Sequence, residues 1–60
     1  MIELKAHELA PGDQFTADRG ASWAEVIGVT VVDGLVEIRV LAGARTEIRR
    51  LQRDSVVVVR

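Results

Sequence analysis

The chain has no cysteine, so no disulfide staples it. It has one histidine, His7, and with no thiolate beside it a structural zinc site is disfavoured. No metal and no cofactor are therefore expected. There is no tyrosine, and the only aromatics are Phe15 and Trp23, which argues against a multi-aromatic groove for proline-rich peptides. No apolar run approaches the roughly 18 residues that a membrane-spanning helix needs. The segment from Met1 to Leu9 lacks the apolar core of a secretory leader, which makes a cytoplasmic location the expectation. Gly-rich phosphate loops are missing, and Ser22 and Ser55 have no base at a readable spacing. A non-enzymatic protein is expected.

Sixty residues make one domain, spanning 1–60. A chain of this size buries only about 60% of its unfolded surface. Without disulfide or metal, it depends on a close-packed aliphatic core or on a partner chain. The hydrophobic content of 48% is ordinary for a globular protein and argues against disorder. Seven arginines stand against one lysine, a bias that fits a GC-rich genome before it says anything of binding.

The stretch from Trp23 to Leu41 organises the rest. Asp33-Gly34 separates two β-rich runs and suits a two-residue turn whose central residues need positive φ. On the second arm Val36, Ile38 and Val40 alternate cleanly with Leu35, Glu37, Arg39 and Leu41, which predicts one buried and one wet face. The first arm is apolar on both faces. Gly28 in its middle predicts a bulge or a barrel corner.

Around this hairpin the chain reads as short strands. Ile2 to Ala6 alternates like a strand, with a helix over Glu3 to Ala10 as the competing reading. Pro11-Gly12 suits a type II turn before a strand at Gln14 to Ala17. Ala42-Gly43-Ala44 is a short turn, and Arg45 to Leu51 a strand with Thr46, Ile48 and Arg50 on one face. Gln52-Arg53-Asp54 fits a turn of 3₁₀ helix before a last strand at Ser55 to Val59. The expected fold is all-β: a small five- or six-stranded SH3-like barrel with a 3₁₀ turn before its last strand.

Leu9-x-Pro11-Gly12-Asp13-x-Phe15, then Gly20-x-x-Trp23-x-x-Val26, then Gly34-x-Val36-x-Ile38, resembles small SH3-like barrel proteins of high-GC bacteria and their phages. The resemblance covers about three quarters of the chain. It implies a fold and an interaction role, and it carries no catalytic residue.

Candidate contact residues follow from charge and exposure. Residues 1–34 carry Lys5 and Arg19 against six carboxylates; residues 35–60 carry six arginines against three. Arg45 and Arg49 share a strand face, and Arg39 is expected beside them, with Arg50 and Arg53 near. Such a cluster suits an acidic partner surface or phosphates. Cross-strand pairing with Glu37 and Glu47 is the plain alternative. Trp23 is either an exposed platform or a core anchor. The strand Ser55 to Val59 is apolar on both faces, so its Val56–Val59 edge is covered by a neighbouring strand or by a second chain, as in a homodimer. The expectation is a protein-interaction module using the arginine face, Trp23 and a strand edge. Nucleic-acid binding through the same face is the second reading, against which the pI near 5.7 counts. A structural homo-oligomer is the third.

Overall fold

The computed structural model describes residues 1–60. The strands are β1 (Ile2–Lys5), β2 (Gln14–Thr16), β3 (Ala24–Val32), β4 (Leu35–Ala42), β5 (Arg45–Gln52) and β6 (Val56–Val59). One 3₁₀ turn covers Ala6–Glu8. Every strand pair is antiparallel, and the strands form one open sheet in the order β1-β6-β2-β3-β4-β5. No ladder joins its two edges, β1 and β5.

Turn chemistry sets the registers. At Ala10–Asp13 the Asp13 N–H donates to the Ala10 carbonyl at 3.1 Å, and Gly12 takes φ 98°, the type II geometry expected of Pro11-Gly12. That turn is pinned to β3, because Gly12 N–H donates to Val26 O and Val26 N–H donates to Asp13 O, at 2.9 and 2.8 Å. In the β3–β4 turn only Asp33 has positive φ, 55°, whereas both central residues were expected to. The β4–β5 turn puts Gly43 at φ 66° in the first central position, where a two-residue hairpin favours glycine.

The mixed polarity of β3 has a physical cause. Its register with β4 shifts between Val26 and Gly28, which leaves Ile27 as an extra residue. Before the shift Ala24 and Val26 face the core; after it, Val29 and Val31 share a face with the buried Ile38 and Val36. A bulge swaps the phase of alternation and bends the strand. The bend expected at Gly28 is this bulge.

The sheet must curl. Gln52 ends β5 and Val56 begins β6, and β6 lies four strands away in the sheet order. In a flat sheet that separation is about 19 Å, at ~4.8 Å per strand. The four residue steps from Gln52 to Val56 reach at most about 14 Å. Hydrogen bonds record the result: His7 N–H, just past β1, donates to Arg53 O at 3.2 Å, and Arg53 N–H, just past β5, donates to Gly34 O at 3.0 Å. The ends of the two edge strands thus meet through one connecting turn.

Inside the curl lies one aliphatic core. Ala6, Leu9, Phe15, Ala24, Val26, Val36, Ile38, Val40, Val57 and Val59 form a single buried cluster, with Leu4, Val29 and Leu51 packed against it. Every strand except the two edges contributes a fully buried residue.

Two expectations are corrected here. Gln52–Ser55 is a simple turn, closed by Ser55 N–H on Gln52 O at 3.1 Å, and the 3₁₀ turn lies instead at Ala6–Glu8. There the Glu8 carboxylate accepts from Lys5 N–H at 2.8 Å, and Ala6 turns into the core. Second, β6 is an interior strand. β1 pairs with all four of its residues on one side, and β2 pairs with Val58 and Val59 on the other. The Val56–Val59 edge anticipated for a homodimer is occupied by strands of the same chain.

Candidate interaction surface

The arginines part to opposite faces. The Gly43-Ala44 turn sets Ala42 opposite Arg45, and the ladder then runs unbroken to Leu35 opposite Gln52. Arg39 lies opposite Ile48, while Arg49 lies opposite the buried Ile38. Arg45 and Arg49 therefore project on the concave side of the sheet, and Arg39 and Arg50 on the convex side. Arg50 Nε donates to Glu37 Oε2 at 3.1 Å, and Arg49 stands 3.9 Å from Glu47. Arg53 lies apart in the β5–β6 turn. The continuous basic surface expected from Arg39, Arg45, Arg49, Arg50 and Arg53 is not formed. The turn length alone carried the signal, since a two-residue loop fixes which residues oppose each other.

Trp23 is placed differently from Phe15. Phe15 is 1% exposed at the centre of the core, whereas Trp23 is half-buried and outside the core cluster. The Arg60 guanidinium carbon stacks 4.3 Å from the centre of its ring. Arg60 is itself tied to β2: its Nε donates to Gln14 Oε1 and its backbone N–H donates to Gln14 O, both at 3.0 Å. A cation held over an indole face restricts the ring and is worth roughly 0.5–1 kcal/mol at an exposed site.

Trp23 forms a wall of an open groove of about 530 Å³, with Met1, Ile2, Thr16, Gly20 and Val58. Glu3 and Arg19 bring one charge of each sign to it. The groove lies over Val58 of β6, with Met1 to Glu3 at the start of the chain on one side. Opposite β1 it is bounded by the loop from Ala17 to Trp23.

That loop is built by two side chains. Thr16 is 3% exposed; its hydroxyl donates to Asp18 Oδ1 at 2.5 Å and accepts from Gly20 N–H at 3.0 Å. Asp18 in turn accepts from Ser22 N–H at 3.0 Å and from the Ser22 hydroxyl at 2.7 Å. Arg19 and Gly20 take φ 60° and 88°, which lets the chain reverse. The hydrogen bonds from Thr16 and then Ser22 hold the Asp18 carboxyl down to about 2, from an ordinary 3.8. Because the folded value lies below the unfolded one, the unfolded chain binds the extra proton between them. The stability that Asp18 contributes is complete above about pH 4 and is lost as pH falls through about 2. Urea melts of wild type and Asp18→Asn at several pH values check this: the gap between them should close on acidification, and a constant gap would contradict it. No composition signal marks Thr16, Asp18 or Arg60 beforehand, since each acts through local contacts that only the folded loop creates.

No helix is long and apolar enough to cross a membrane. No family model matches the chain, and neither a curated protein nor a solved structure matches it.

Proposed function

We propose that the chain is an SH3-like barrel acting as a non-enzymatic protein-interaction module, which takes an extended segment of a partner protein into the Trp23 groove beside β1. The observation that carries this reading is a tryptophan kept out of the core and braced by Arg60. Tryptophan and arginine dominate the energetics of protein interfaces, and a ring already fixed loses little freedom on binding. The unpaired side of β1 faces away from the groove floor at Val58, so its main-chain groups form a separate edge rather than part of the groove. The SH3-like reading is supported by the strand order: β2 to β5 form a meander, β6 returns beside β2, and β1 is added outside it. The non-enzymatic reading is supported by the groove's chemistry. Its one hydroxyl near a carboxylate, Thr16 with Asp18, is consumed in holding the loop. Nucleic-acid binding needs a single basic face, and the division of the arginines leaves no observation in its favour.

The test is selection of random displayed peptides on the immobilised protein, followed by titration of the enriched sequences. They should carry apolar residues at alternate positions. Trp23→Ala should weaken them at least tenfold while the far-UV spectrum stays unchanged, and Arg39→Ala should leave them unaffected. Failure to enrich any peptide, or equal affinity for Trp23→Ala, would refute the proposal.

A further inference from the structure

We propose that β5 is a self-association edge, at which two copies pair antiparallel about a two-fold axis through Ile48 and merge their sheets. Of the two free edges β5 is the longer, with eight residues against four in β1. Its ladder with β4 is unbroken, and its other side has no strand partner. An edge of this length is normally guarded by a proline, a bulge, a covering loop or charged side chains. The charges of β5 are of both signs, so they oppose pairing in some registers and favour it in others. The sequence Arg45–Gln52 has no proline and no register break.

Charge and strand overlap together select one register. A two-fold axis perpendicular to the sheet keeps concave faces together, so a residue meets only residues of its own face on the second copy. Centred on Ile48, the pairing sets Glu47 opposite Arg49 of the second copy, and Arg49 opposite Glu47 of the second copy. On the convex face Ile48 meets Ile48 of the second copy, and Thr46 meets Arg50. Moving the centre one residue toward Arg49 puts Arg49 against its own copy. Moving it toward Glu47 opposes Glu47 to its copy and Arg45 to Arg49. Directly opposed like charges destabilise a sheet and opposite charges stabilise it. A Thr46-centred register also joins two opposite-charge pairs, Arg45 with Glu47, but it engages only residues 45–47 of each strand, whereas the Ile48-centred register engages residues 45–51 and opposes no like charges. It also covers Ile48, an apolar side chain left 57% exposed in the single chain. The interface is isologous, so it closes as a dimer, and it leaves the Trp23 groove free.

Sedimentation of the full chain across a wide concentration range tests this directly. Wild type should pass from monomer to dimer. Glu47→Arg alone and Arg49→Glu alone each oppose like charges, and each should dimerise at least tenfold more weakly. Mixed in equal amounts, the two variants have complementary edges and should form a heterodimer. Ile48→Lys, at a solvent-facing position that spares the fold, should also remain monomeric, with an unchanged far-UV spectrum. A wild type monomeric to about 1 mM, single variants that dimerise like wild type, or a mixture that stays monomeric would overturn the proposal.

Discussion

Phe15→Ala is expected to remove most of the protein's stability. Phe15 is 1% exposed and is the largest of the fully buried side chains. It also sits on the three-residue strand that joins β6 to β3, opposite Val59 on one side and Ala24 on the other. Removing a buried phenylalanine ring costs about 3–5 kcal/mol. A chain of 60 residues has a total stability of about 3–9 kcal/mol at the usual per-residue values. With no disulfide to limit the unfolded state, nothing else offsets the loss. Urea melts followed by far-UV circular dichroism read it directly. A loss under about 1 kcal/mol would mean that the ring is not enclosed.

The second large effect separates two isoleucines on neighbouring strands. Ile38 is fully buried on the concave face of β4, while Ile48 is 57% exposed on the convex face of β5. Ile38→Ala should cost about 2–5 kcal/mol, as large-to-small changes in a packed core do. Ile48→Ala should stay within about 0.5 kcal/mol when measured dilute enough for the chain to be monomeric. The contrast depends on the two-residue β4–β5 turn. A one-residue slip would bring Ile48 to the concave side and make the two losses similar.

Much of this fold is legible in the amino-acid order. Asp33-Gly34 and Gly43-Ala44 mark the hairpins, Pro11-Gly12 marks the type II turn, and the alternation from Leu35 to Leu41 names the buried face of β4. What resisted reading has identifiable causes. Ile27 shifts the phase of β3, so strict alternation across that strand assigns its second half to the wrong face. Both readings of the N-terminus hold a part of the outcome, because Ile2–Lys5 pairs with β6 and Ala6–Glu8 then winds into a 3₁₀ turn. The four valines of β6 look like an unguarded edge until β1 is known to lie outside them.

The contact surface was less legible than the fold. Arg39, Arg45 and Arg49 are close in sequence, but facing is decided by cross-strand register, which counts residues through the turn. Trp23 was readable as either core or platform. Its position is decided by Arg60 and Gln14, residues that only folding brings to it.

The central claim is that one open sheet curls until its own aliphatic face is enclosed. Three strand spacings separate β6 from β4 in the sheet order, about 14 Å if the sheet were flat. Methyl–methyl nuclear Overhauser effects on the selectively labelled chain decide the matter. The account predicts cross-peaks linking Val57 or Val59 to Val36, Ile38 or Val40. A spectrum with sequential and adjacent-strand peaks but none between β6 and β4 would contradict it.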